Sequence, residues 1–145
     1  MSRWFSALNV VGSYLAWWGC VLGVLWNHPF LGTVPTWLYL GAHLQWTAQI
    51  RREGLFLLVA IVAGTILDSI FAATGLLSYK GGYPGIGWLA PLWITALWGG
   101  FAATLNPSLG WMRRKKALAA ILAGLGSPLS YYGGVRLGVV TFAEP

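Results

Sequence analysis

Acidic side chains are nearly missing from this chain, with three Asp and Glu against nine Lys and Arg in 145 residues. Charged residues of both signs make up 8%, where a soluble globular domain carries about 25%. A surface solvated by water on all sides is thereby excluded. Cysteine occurs once, as Cys20, which rules out an internal disulfide and a cysteine-built metal cluster. Paired-histidine iron motifs, HExxH, a phosphate loop, CxxC and a nucleophile elbow are all absent. No metal and no cofactor is expected. Linkers, low-complexity tracts and charge blocks are also lacking, so residues 1–145 read as one domain.

Apolar residues fill that space. They form 57% of the chain, ten of them tryptophans, and the mean hydropathy is +0.67. The net charge of +6 does not point to nucleic acid, because the basic residues sit in short connections between apolar runs. Five such runs can be marked, at about residues 5–26, 31–50, 54–77, 88–106 and 117–142. The expected fold is an all-α, integral-membrane five-helix bundle.

The third run, from Gly54 to Leu77, carries Asp68 near its middle. At about 1.5 Å per residue it spans roughly 35 Å, against a hydrocarbon core of about 30 Å. An ionised Asp at the centre of a lone helix costs about 3 kcal/mol on insertion scales, so Asp68 needs polar company from other helices. Gly64, Thr65, Ala72 and Gly75 share its face and are small enough to let another helix approach.

The first run follows Arg3 and is too long for a secretory signal, with no small-x-small site before Asn27. Trp17 stands where a lipoprotein box needs an aliphatic residue. Gly19 and Gly23 make a GxxxG pair suited to close helix contact, and Cys20 reads as a small buried apolar group. The second run is the most polar, holding Tyr39, His43, Gln45, Trp46, Thr47 and Gln49, with Pro35 near its start. Arg51-Arg52-Glu53 closes it. A long glycine-rich connection at 78–87 is bracketed by Tyr79, Tyr83 and Trp88, which suit a membrane interface. Residues 111–116, Trp-Met-Arg-Arg-Lys-Lys, form an aromatic and basic anchor. The fifth run contains Ser127-Pro128, Ser130-Tyr131-Tyr132 and a late Arg136.

Arg3, Arg51, Arg52 and the Arg113–Lys116 cluster fall on one side of a five-span arrangement; Lys80 and Arg136 fall on the other. The positive-inside rule then puts the N-terminus in the cytoplasm and the C-terminus outside. Counting rise along each span brings Asp68, Trp98, Trp18 and Tyr132 to similar depth, with Arg136 a turn higher and able to reach down or snorkel. A second polar layer nearer the cytoplasm contains His43, Asn106, Ser13 and Gln45. These two layers hold the candidate site.

Each candidate also has a structural reading. Asp68 can be a scaffold carboxylate paired with Arg136 or bonded by Tyr132, although intramembrane acids lean towards function. No second histidine shares a helix with His43, which favours a packed, hydrogen-bonding role over a ligand or catalyst. Tyr131 and Tyr132 can be packing, and Asn106 before Pro107 can be a helix end. Trp4, Trp26, Trp37, Trp88 and Trp111 lie near span ends as belt anchors. Trp17, Trp18, Trp93 and Trp98 are deeper, where they fill a core or line a pocket for a flat or isoprenoid-like ligand. The absence of an internal repeat weighs against an inverted-repeat transporter acting as a monomer; a homo-oligomer would supply the symmetry.

The segments LDSIF, PLWITALWGGFAATLNPSLGW and GSPLSYYGGVRLG resemble those of a small bacterial inner-membrane family classed only as a domain of unknown function (2878). The likeness runs through most of the chain and implies a bacterial cytoplasmic-membrane protein, with a pointer to lipids and no established activity. Tryptophan-rich sensory proteins are similar in architecture, five-helix and aromatic-rich. Their Pro, Trp and Leu-Asn pattern lies on the last helix, whereas here Pro91, Trp98, Leu105 and Asn106 lie on the fourth.

Three functions follow as expectations. The first is binding or transport of a small amphipathic or lipidic molecule in a pocket lined by Asp68, Trp18, Trp98, Asn106, Tyr131, Tyr132 and Arg136, with membrane lipids as the other partner. The second is a lipid-modifying enzyme in which Asp68 or His43 is general base and a tyrosine such as Tyr132 the acid, which needs these groups within hydrogen-bond reach. The third is a structural membrane subunit whose polar residues only hold helices together.

Overall fold

The computed structural model describes residues 3–106 and 115–142. The anchor read at 111–116 therefore lies mostly outside the described residues. Among the described residues five helices form: α1 (Arg3–Leu25), α2 (Phe30–Trp46), α3 (Ile50–Ala73), α4 (Leu92–Leu105) and α5 (Lys116–Arg136). Two of them, over Phe5–Leu25 and Ile50–Ala73, are long and apolar enough to cross a membrane, and α4 is a shorter apolar helix.

The expectation of a purely α-helical chain needs one correction. Strands β1 (Leu77–Tyr79) and β2 (Val140–Phe142) pair antiparallel, with Leu77 opposite Phe142 and Tyr79 opposite Val140. The cause is a shared helix ending. Thr74 N–H bonds the Ile70 carbonyl, and Gly75 turns left-handed at φ 76°, so α3 stops at Ala73 rather than running to Leu77. Leu137 and Gly138, also at φ 76°, close α5 in the same way at Arg136, short of the expected 142. Glycine adopts this conformation without a Cβ clash. Both chains emerge extended on the same side and zip together.

Helix starts also shift. α3 begins at Ile50, which puts Arg51, Arg52 and Glu53 into its first turn instead of a connection. α4 begins at Leu92 because Pro91 is extended, with ψ 155°, leaving Trp88 in the loop.

Small residues let the helices touch. Gly19 and Gly32 bring the α1 and α2 backbones together so closely that a Cβ on Gly32 would lie 2.0 Å from the Gly19 carbonyl carbon. α4 presents Ala96, Gly99, Gly100, Ala102 and Ala103, all buried, to its neighbours α1, α2 and α3. Such small-residue faces are how helices associate where apolar burial gives no driving force, as in lipid.

The surface is inverted relative to a water-soluble protein. α3 buries Glu53, Leu57, Gly64 and Asp68 and exposes Leu55, Leu58, Val59, Val62, Ile66 and Ile70. In water that stripe would be a large apolar patch. Hydrogen bonds sort the helix ends onto two sides. Asn9 of α1 reaches the Ala103 carbonyl of α4, and Asn106 reaches Glu53 of α3. At the opposite end Lys80 Nζ approaches the Leu25 carbonyl at 3.4 Å, and Trp93 Nε1 donates to the Lys80 carbonyl. Consecutive helices α1 to α4 thus run in alternating directions.

Candidate functional site

Two polar clusters lie at opposite ends of α3. The outer one centres on Asp68, 1% exposed. Its Oδ1 accepts from the Tyr79 hydroxyl at 2.5 Å and from the Tyr131 hydroxyl at 2.8 Å, and its Oδ2 accepts from Trp98 Nε1 at 2.6 Å. These three neutral donors come from β1, α5 and α4. Local sequence makes each position possible. Gly64, one helical turn before Asp68, leaves room for the Trp98 indole, since a Cβ there would sit 2.0 Å from a ring carbon. The turn at Gly75 folds β1 back so that Tyr79 reaches down to the carboxylate. Tyr131 is steadied edge-on against Phe71, ring centroids 6.1 Å apart. Burial first, and then the hydrogen bond and the charge of Asp68, push the Tyr79 phenol well above its ordinary range.

A cavity of about 540 Å3 opens beside this cluster, between α1, α4 and α5. Trp17, Trp93, Trp98, Phe101 and Tyr131 supply its aromatic wall, and Ser13, Ser127 and Ser130 its hydroxyls. Asp68 is the one charged residue among the described residues that line it.

The inner cluster centres on Glu53 and His43, both buried, with His43 Nε2 at 3.0 Å from Glu53 Oε1. Asn106 Nδ2 donates to Glu53 Oε2 at 2.5 Å. Asn9 Nδ2 lies 2.8 Å from the Tyr39 hydroxyl, 3.1 Å from the Ala103 carbonyl and 3.3 Å from His43 Nδ1. The Ala103 carbonyl can only accept, and the Tyr39 hydroxyl spends its own hydrogen on the Asn9 backbone carbonyl, so these two take the amide hydrogens of Asn9. Four helices are tied by this one chain of bonds.

The sequence candidates divide accordingly. Asp68, Trp98 and Tyr131 come together at the outer cluster. Tyr132 points away, 54% exposed, and makes no bond to Asp68; Arg136 is also exposed and forms no ion pair with it. Trp18 is 46% exposed and packs edge-on against Trp17 at 5.0 Å, outside the cavity wall. Asn106 and His43 belong to the inner cluster. Ser13 lies on the cavity wall and donates to the Gly100 carbonyl, while Gln45 is exposed. Glu53 and Asp68 are separated by 15 residues of one helix, about 22 Å of rise, so Asp68 and His43 do not converge.

Tyr79, Glu53 and Asn9 went unmarked in the sequence as site residues. Glu53 carried a signal, as one of three acidic residues in the chain. Asn9 is a lone amide within an apolar run, but Tyr79 looked like any interfacial tyrosine.

A family model described as "Protein of unknown function (DUF2878)" matches residues 6–145. No curated protein and no solved structure matches the chain.

Proposed function

The chain belongs to that family of unknown function, and from the geometry of its clusters we propose a multi-pass membrane protein whose cavity binds a small amphipathic or lipidic molecule. The observation that carries the reading is the cavity itself. Its volume falls in the range of about 300–1,000 Å3 typical of small-molecule sites, and it combines apolar walls with few polar groups. Trp98 and Tyr131 face it while donating to Asp68, so one ring system offers both an apolar wall and a fixed polar anchor. An amphipath would lay its tail along Trp17, Leu97 and Phe101 and its head towards Asp68. The inner cluster, with every donor matched inside the protein, acts as the tie that holds α1 to α4 around that space.

Enzymatic use of Asp68 and His43 as a joint acid–base pair is disfavoured by their separation. Membrane insertion is supported by the alternating helix directions and the inverted surface, and the cytoplasmic N-terminus by Arg51 and Arg52 at the start of α3. In this arrangement the Asp68 cluster lies towards the outer side and the Glu53 cluster towards the cytoplasm.

Photolabelling tests the binding reading. A neutral long-chain alcohol bearing a tail diazirine should label peptides containing Trp17, Trp98 and Phe101. Ser130→Trp, which fills the cavity from α5, should lower that labelling several-fold. Labelling spread evenly over the exposed faces of α1 and α3, and unchanged by Ser130→Trp, would remove the reading.

A further inference from the structure

We infer that the ligand of this cavity carries a protonated amine as its head group, an inference that rests on the binding reading above. Three observations point there. Asp68 lines the cavity, and among the described residues no Lys, Arg or His lines it with Asp68. The basic groups at this end of the bundle, Lys80 after β1 and Arg136 at the end of α5, are engaged or turned away: Lys80 Nζ approaches the Leu25 carbonyl, and Arg136 is exposed. Among the described residues the site therefore has a carboxylate and no countercharge of its own. By contrast, the other buried carboxylate, Glu53, has His43 beside it.

The hydrogen-bond inventory gives the second argument. A carboxylate offers about four lone-pair sites. Two on Oδ1 are taken by Tyr79 and Tyr131, and one on Oδ2 by Trp98. One acceptor position on Oδ2 is left for an N–H. An anionic or purely acceptor head group would meet only lone pairs and like charge there, whereas an ammonium supplies both the proton and the charge.

The third argument is the wall. Trp17, Trp93, Trp98, Phe101 and Tyr131 border the same space, and aromatic faces attract a desolvated cation through their quadrupoles. Trp98 is held with its N–H on Asp68 and Gly64 against its ring. Its orientation is thus fixed before any ligand arrives. A carboxylate ringed by oriented aromatics, in a surface that otherwise faces hydrocarbon, selects an amine with an apolar tail over a neutral or acidic lipid of equal size.

Matched probes test this on the full-length protein in nanodiscs. Dodecylammonium, dodecanol and dodecanoate, each with the same terminal diazirine, are compared by the concentration that half-saturates labelling of the cavity peptides. The ammonium probe should half-saturate at about tenfold lower concentration than the alcohol, and the carboxylate should be weakest. Asp68→Asn should bring ammonium and alcohol to parity while alcohol labelling persists. Tyr131→Phe keeps the charge and removes one neutral donor, so the ammonium preference should hold or grow. It decides the matter where Asp68→Asn fails to fold. Equal labelling by ammonium and alcohol, preference for the carboxylate, or loss of ammonium preference in Tyr131→Phe overturns the amine assignment and leaves the binding reading standing. Cavity labelling by none of the three overturns the binding reading as well.

Discussion

Glu53 and Asp68 lie 15 residues apart on the buried stripe of α3, and each draws its partners from several other helices or strands. Glu53 receives His43 from α2 and Asn106 from the end of α4. Asp68 receives Trp98 from α4, Tyr131 from α5 and Tyr79 from β1. One helix therefore pins both ends of the bundle through two carboxylates. The ends differ in kind. Glu53 sits in a closed network with a titratable basic partner, while Asp68 borders open volume and has, among the described residues, neutral partners alone.

A closed network should respond to being broken on one side more than to being removed whole. Glu53→Leu leaves the buried His43 donor and the half-buried Asn106 amide without the Glu53 acceptor, a defect of about 1–3 kcal/mol for a buried donor left unmatched. Glu53→Leu combined with His43→Leu removes the unmatched imidazole and should recover part of that loss. A double-mutant cycle read by thermal unfolding in detergent checks this. Additive losses would mean that the pair is not coupled.

Close contact between α3 and α4 gives a second expectation. The Cβ of Gly64→Ala would lie 2.0 Å from the Trp98 ring, so the indole must move and its N–H must leave Asp68. A loss of about 1–3 kcal/mol is expected from overpacking. Part of it should return in Gly64→Ala combined with Trp98→Phe, which frees space. The Cβ of Gly32→Ala would meet the Gly19 backbone instead. No side-chain replacement should rescue that variant.

Asp68 could be singled out from the sequence because a carboxylate inside a long apolar run must find partners. Its partners could not. Adjacent residues on a helix differ by about 100° of rotation, so choosing between Tyr131 and Tyr132 required the phase of α5, which apolar patterning leaves open when most faces are apolar. Tyr79 required the turn at Gly75, and thus the early end of α3. Glu53 was hidden by Arg51 and Arg52, which made the segment read as a polar connection. The helix starts three residues before Glu53 instead. The five helices were legible from hydropathy; the β1–β2 ribbon was not, because three-residue strands leave no periodicity to read.

The helix phase of α5 can itself be tested. Tyr131→Phe and Tyr79→Phe each delete a donor to a charged, buried acceptor, worth about 1.5–3 kcal/mol. Tyr132→Phe touches an exposed hydroxyl and should stay within about 0.5 kcal/mol of wild type. Thermal scans of the three variants give the order. A Tyr132→Phe defect as large as that of Tyr131→Phe would mean that α5 is rotated from the arrangement described.

Alkaline titration examines Tyr79 separately. Its phenol is held above the ordinary value of 10, so the folded protein retains that proton where the unfolded chain loses it. Its contribution to stability is complete below the ordinary value and drains away as pH rises above it. The phenolate absorbance of wild type and Tyr79→Phe should superimpose until alkaline unfolding begins. An early-titrating tyrosine that disappears in Tyr79→Phe would show the phenol to be solvated.

Orientation across the membrane is the remaining expectation, and the buried cysteine makes it accessible. Cys20 is 0% exposed, so the wild-type thiol should give little background with a membrane-impermeant maleimide. Gln49→Cys places a thiol at the exposed N-cap of α3, beside Arg51 and Arg52. Tyr83→Cys places one in the exposed loop between β1 and α4, on the side of Lys80 and Arg136. With basic residues retained on the cytoplasmic side, Tyr83→Cys should react in intact cells and Gln49→Cys only after permeabilisation. A reporter active only outside the cytoplasm, fused after Pro145, should likewise be active, because α5 ends on the Tyr83 side through the β1–β2 pairing. Reversed labelling would invert the bundle and put the Asp68 cavity towards the cytoplasm. Equal labelling of both thiols in intact cells would mean that these helices do not cross the bilayer, and the exposed Leu55, Val59, Val62 and Ile66 would then need a protein partner to cover them.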